Sequence, residues 1–304
     1  MQPEATKTRR LSRFDYREVR AALLLCAPTA VLMLALLVLP TLAVFALSFT
    51  DAELGVPGFQ FLGFGAYADL FADKGFIRAF RNTTVYVALV APASVIIGLV
   101  LALLIESEVR GRAFFRSVYF LLVVSLTVAM ASVWQYLMHP SFGPMNLVLQ
   151  RFGLPSINWL GSSDNVLIAL ALIGIWQALG FNLVLFLAGL TSINRDLYAA
   201  AEMDGVRSAW SRFWTVTWPM LGPTTLFVVT ITMINAVKVF ETVATLTQGG
   251  PSKASEVLLY TIYKEGFVYL HIGVASAMAV VFVAVLLVLL LIQTKVLEKQ
   301  VHYT

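Results

Sequence analysis

Within the long apolar run that follows residue 220, five side chains, Asn235, Lys238, Glu241, Thr242 and Thr245, bring together amide, ammonium, carboxylate and hydroxyl groups. If the run is one helix, Asn235, Lys238, Thr242 and Thr245 recur at i, i+3 and i+7 and share a face, with Glu241 three residues from Lys238. Charge at membrane depth is costly, so this face must look into a cavity or onto another helix rather than at lipid. As a path lining it suits a hydroxyl-rich solute, and Lys238 can attract a phosphate. As packing it is an ion pair with hydrogen bonds between neighbouring helices. A second set, Trp176, Gln177 and Asn182 with Trp134 and Gln135, sets aromatic faces beside amides, as a sugar ring prefers. Gln177 and Asn182 are the better candidates, because a tryptophan near a membrane boundary also reads as a belt residue.

The polar stretch 192–219 carries a different chemistry. Asn194 is suited to cap a helix with Asp196 in its first turn and Leu197, Ala200, Ala201 and Asp204 at helical spacing. Gly205 should end it, since glycine reverses the backbone without steric cost. Ser208 can cap a second helix bearing Trp210, Phe213, Trp214 and Thr217, with Pro219 closing the run. Two short helices at a glycine corner form a rigid knob whose Leu197, Met203, Trp210, Phe213 and Trp214 can dock into a groove on another protein. The same pair would also suit lipid headgroups.

Other chemistry is scarce. His139, His271 and His302 lie far apart in loops or the tail without metal-ligand spacing, so no metal is expected. The lone Cys26 allows no disulfide within the chain. Neither a nucleophile elbow nor a Gly-x-x-x-x-Gly-Lys-Ser/Thr phosphate cradle occurs, so the chain is not expected to be an enzyme, and any ATP that drives it must be hydrolysed by another chain.

These residues need long helices to position them. Of 304 residues, 59% are hydrophobic and only 12% charged, and the mean hydropathy of +0.84 implies an all-α, polytopic membrane bundle. Apolar runs at 21–49, 83–105, 114–137, 166–190, 221–243 and 272–291 give six expected spans. The basic segment before the first run gives it the look of a signal peptide, with Ala46 to Ser48 as a cleavage site, but the run is too long, and retention as a span is expected. Lys and Arg are distributed fourteen to six in favour of one side, with Lys238 inside a span. That bias puts both termini and the 192–219 loop in the cytoplasm. The net charge of +4 then reflects basic loops at a membrane rather than nucleic-acid binding. The expected organisation is a cytoplasmic basic segment, 1–20, followed by one six-span domain, 21–304.

Outside the membrane, 51–82 reads as a loop with a short amphipathic helix, and the turn-formers of 139–165 argue for an ordered, irregular cap. Gln248 to Pro251 should turn the chain at the outer surface, and 257–267 should form an amphipathic helix too brief to span.

The 192–219 stretch resembles the EAA cytoplasmic loop of ABC-importer permease subunits, roughly Glu-Ala-Ala-x-x-Asp-Gly-Ala and later Ile-x-Leu-Pro. Ala200 and Ala201 match the alanines, Asp204 and Gly205 the Asp-Gly, Val216 the isoleucine and Pro219 the proline; Ala199, Val206 and Trp218 depart from it. Thr247 to Pro251 and the basic tail extend the resemblance toward the carbohydrate and glycerol-phosphate branch. The resemblance implies a type I importer permease in a prokaryotic inner membrane, paired with a homologous second permease, two ATPase subunits that carry ATP and Mg, and an extracytoplasmic binding protein. It also implies ATPase coupling through the loop and contact between Gly249, Gly250 and Pro251 and the binding protein. The competing reading is a stand-alone secondary transporter or channel, for which Lys238 and Glu241 are the only coupling candidates.

Overall fold

The computed structural model describes residues 16–107 and 125–297. Lys7, Arg9, Arg10, Arg13, Arg110, Arg112, Arg116 and Lys299 lie outside the described residues, as does the first part of the expected third span. Among the described residues the architecture is helical, with one isolated bridge between Thr50 and Phe61. Among the described residues, five helical segments are long and apolar enough to cross a membrane.

The first, α1 (Ala22–Leu47), buries none of its apolar window and leaves Leu25 and Leu36 exposed, an arrangement lipid tolerates and water would not. Its turns widen at Leu34–Val38, just before Pro40. A proline ring clashes with the carbonyl four residues back, and a π turn takes up that clash. After the short helix α2 (Gly65–Ala72), α3 (Lys74–Ser107) starts nine residues before the expected boundary at 83. Asp73 accounts for the early start, because its Oδ1 accepts the Phe76 N–H at 2.6 Å and caps the first turn. The described part of the third expected span is α4 (Thr127–Leu137), followed by α5 (Pro144–Arg151) in the irregular cap at 139–165. Asn146 organises that cap: its amide donates to the carbonyls of His139, Pro140 and Ile157 and accepts from Ile157 and the Trp159 indole.

The centre of the bundle is the pairing of α3 with α6 (Val166–Ser192), where Val166, Leu170, Leu183 and Phe186 are fully buried. Lipid removes the hydrophobic drive between helices, so close packing must hold them. Gly174 permits it: a Cβ there would sit 2.1 Å from the Tyr86 hydroxyl.

The fifth span departs from expectation. It is not one helix but α9 (Gly222–Val237) and α10 (Glu241–Leu246), with Lys238 to Phe240 unwound between them. The shared face from Asn235 to Thr245 is therefore broken, and Lys238 and Glu241 form no ion pair with each other. Unwound backbone at this depth is tolerated because it lines a cavity. α11 (Leu258–Tyr263) runs into a π turn, Lys264–Val268, and α12 (Ile272–Leu297) completes the bundle.

Candidate functional site

In the 192–219 corner, local chemistry sets the shape. Asn194 Oδ1 accepts the Asp196 N–H at 3.0 Å, capping α7 (Arg195–Met203). Gly205 follows at φ +89° while the Val206 N–H returns to the Ala201 carbonyl at 2.9 Å. A Cβ on Gly205 would meet nothing within 4 Å, so the requirement for glycine is torsional. Ser208 Oγ accepts the Ser211 N–H at 3.0 Å, capping α8 (Ala209–Arg212). Pro219 does not close the run. A π turn at Phe213–Thr217 carries the chain past it, and Pro219 sits in the first turn of the next helix, where no N–H donor is needed.

The corner is rooted on one side and bare on the other. Ala201 and Val216 are buried in a cluster with Ile105, Leu190 and Leu221, and the Tyr198 and Thr217 hydroxyls meet at 3.2 Å. Outward, Met203 is 89% and Trp210 71% exposed, and Leu197 and Trp214 also face out. Ala200, Asp204 and Pro219 are exposed, whereas Phe213 is half-buried. Trp210, Phe213 and Trp214 form one ring cluster with centroids 5.1 to 6.3 Å apart. Trp218, which the motif marks only as a departure, joins it 5.9 Å from Phe213.

A cavity of about 660 Å³ lies between α3, α6, the unwound segment and α11. Gln177, Asn182, Asn235, Lys238, Glu241 and Thr242 all line it. Asn235, Lys238 and Glu241 are exposed to it, and their side chains make no hydrogen bond or ion pair among the described residues. Asn182 is different: only 1% exposed, it accepts from Thr232 Oγ1 at 2.7 Å and donates to Ser94 Oγ at 3.3 Å, so it ties α3, α6 and α9 together. Gln177 Nε2 donates to Thr127 Oγ1. Thr245 is exposed, and neither it nor Gln135 is part of the lining. Trp134 and Trp176 also stand apart from the cavity, edge to face at 5.4 Å.

Aromatic rings share the lining: Tyr86, Phe181, Phe240, Tyr263 and Phe267. Tyr263 and Phe267 come from α11 and its π turn, a role that polarity and charge along the chain do not assign. The signal was available in the aromatic spacing of Tyr260, Tyr263 and Phe267 at i, i+3 and i+7.

At the turn 248–251, Gly249 is buried at φ +82° under Tyr260, and Gly250 and Pro251 are half-buried. Asn82 Nδ2 donates to the carbonyls of Lys253, Ala254 and Glu256, and Arg78 donates to that of Ser252 at 2.9 Å. The turn is thus bound to the head of α3. Just beyond it, Glu256 Oε1 pairs with Lys264 Nζ at 2.8 Å. Burial works against the Lys264 ammonium, but the hydrogen bond and charge of Glu256 outweigh it and hold its pKa above the ordinary value.

Comparison with known proteins bears on the fold and the family. The chain is 30% identical over 245 residues to the sn-glycerol-3-phosphate transport system permease protein UgpA of Agrobacterium fabrum, covering 80% of this chain and 83% of that protein. It is 29% identical over 279 residues to the trehalose/maltose transport system permease protein MalF of Thermococcus litoralis, covering 90% and 93%. The fold superposes with a TM-score of 0.80 at 25% identity on the crystal structure of a bacterial alginate ABC transporter in complex with alginate pentasaccharide-bound periplasmic protein, over 92% of this chain and 96% of that one. Residues 94–303 match the model of the family described as binding-protein-dependent transport system inner membrane component, so the chain belongs to that family and is a permease component of an ABC importer.

Proposed function

We propose that this permease passes a small polar solute, a sugar or a glycerol-phosphate-like compound, through the cavity between α3, α6 and α9. The observation that carries the reading is the convergence of Gln177, Asn182, Asn235, Lys238, Glu241 and Thr242 on one space walled by aromatic rings. Such a space offers an apolar surface to one side of a sugar ring and hydrogen-bonding groups to its rim, and Lys238 offers charge to a phosphate. Relatives that carry glycerol 3-phosphate or trehalose and maltose support this solute class.

In this reading residues 1–20 and the corner face the cytoplasm, residues 21–304 form the six-span domain, and both termini are inside. The subunit pairs with a homologous permease. Two ATPase subunits bind ATP and Mg and grip the corner through Leu197, Ala200, Asp204, Gly205, Trp210 and Phe213, while the buried Ala201 anchors the corner from within and Pro219 sets the joint to α9. An extracytoplasmic binding protein delivers solute beside Gly249, Gly250 and Pro251. The bare aromatic face on a buried root supports the docking role, since exposed tryptophan on a rigid knob is typical of interface anchors.

Reconstitution with the partner subunits in proteoliposomes tests the proposal. Uptake of labelled sugar or glycerol 3-phosphate should require ATP and the binding protein and should ignore a protonophore. Uptake that persists without the ATPases and collapses with the proton gradient would instead identify a secondary transporter.

A further inference from the structure

A second cavity, of about 440 Å³, opens beside the 248–251 turn between the 51–73 loop and the 253–278 segment. Six carboxylates line it, Asp51, Glu53, Asp69, Asp73, Glu256 and Glu265, against Lys253, Lys264 and His271. Four are engaged. Asp51 Oδ1 accepts the Gln60 N–H, Asp73 Oδ1 that of Phe76, and Glu265 and Glu53 face His271 at 2.9 and 4.0 Å. Glu256 is half engaged: its side chain is 4% exposed and Oε1 holds Lys264, while Oε2 is buried with no hydrogen-bond partner. The exposed Asp69 carboxylate also has no partner among the described residues. A buried carboxylate oxygen without a donor is costly, and a cationic donor is the group that satisfies it best.

We propose that this cavity is a socket for one basic side chain, lysine or arginine, of the extracytoplasmic binding protein. The inference rests on the binding-protein partnership proposed above. Among the described residues no three carboxylates or histidines stand in a metal-ligating arrangement, so the site suits a hydrogen-bonding cation rather than a metal ion. A protein source is favoured over a free amine because Leu62 lines the cavity while Leu54, Phe61 and Phe64 stand exposed on the same outer segment, 60%, 76% and 81% respectively. Exposed apolar groups around an acidic pocket are complementary to a protein surface that carries a projecting base, and a free amine has no use for them. Consecutive residues serve the two spaces: Lys264 lines the socket, and its neighbour Tyr263 lines the central cavity.

The test measures affinity of the binding protein for the assembled permease complex in nanodiscs across a range of salt concentrations. E256Q should weaken it about tenfold and flatten its salt dependence. Because Glu256 also holds Lys264, D69N serves as the second variant; its exposed, unpartnered carboxylate has no structural task, and it should act in the same direction. Neutralising the binding protein's surface lysines and arginines singly should reveal one whose loss adds nothing to E256Q. Unchanged affinity and salt slope in both variants would overturn the socket alone, whereas no affinity in the wild type would overturn the partnership and the socket together. Saturable spermidine binding that D69N abolishes, with binding-protein affinity untouched, would assign the cavity to a free amine and overturn the docking.

Discussion

The corner at Gly205 and the central cavity are built in opposite ways. In the corner, the polar groups are caps that face inward to the backbone, and the rings of Trp210 and Trp214 are left outside. In the cavity, polar side chains and aromatic rings together line a shared space. The contrast extends to sequence distance. Every contact that shapes the corner's turn lies within a few residues, whereas the Asn182 hydrogen bonds that frame the cavity reach 50 and 88 residues along the chain. A surface built from local contacts can be presented rigidly to another subunit, while a space built from distant ones opens or closes as the spans move.

The sharpest way to break the contrast is to unbend the corner. Gly205→Val places a β-branched residue at φ +89°, a strain of about 1–3 kcal/mol with no new clash. Co-purification of the ATPase subunits should fall at least tenfold while the spans stay folded. Trp210→Ala tests the bare face itself. At 71% exposure it should change stability by less than about 0.5 kcal/mol. ATPase affinity should nonetheless weaken by about 2 kcal/mol in a binding titration, as loss of an interface anchor does. Asn182→Leu attacks the frame of the cavity. It removes two interhelical hydrogen bonds and should lower stability by about 1 kcal/mol, read as a lower midpoint in thermal unfolding of the purified complex. Lys238→Met leaves a cavity-facing side chain with no partner to lose. It should raise the transport KM for an anionic solute several-fold and leave thermal stability unchanged.

The smallest effect is one of pH. The Lys264 pKa is raised above its ordinary 10.5, so the stability contributed by its pair with Glu256 is fully present below that pH and disappears as pH rises through the folded value. Binding of the 248–251 turn to α3, followed by hydrogen exchange, should therefore stay flat through neutral pH and loosen only in strong alkali.

The same contrast explains what the sequence revealed. The caps at Asn194 and Ser208 and the turn at Gly205 are readable because each acts on residues two to five positions away. The six path candidates were readable as polar groups in apolar surroundings, but their arrangement was not. A helix drawn through Lys238 gives a face ending at Thr245, whereas the chain unwinds at 238–240, where the cavity relieves the exposed backbone. No glycine or proline marks the break. The early start of α3 was as legible as those caps, since Asp73 acts three residues away on Phe76, whereas the closing of the 248–251 turn by Asn82 depends on contacts more than 170 residues apart, which periodicity does not register. Pro219 misled for a related reason: the residue type signals a stop, but the π turn before it lets the helical path continue.

The central claim is that the corner's bare aromatic face points into the cytoplasm and is covered there by an ATPase subunit. Trp210→Cys in a Cys26→Ser background, probed with a membrane-impermeant thiol reagent on oriented vesicles, tests it directly. The account predicts labelling only from the cytoplasmic side and protection when the ATPase subunits are bound. Labelling from the outer side, or labelling that the ATPases leave unchanged, would contradict it.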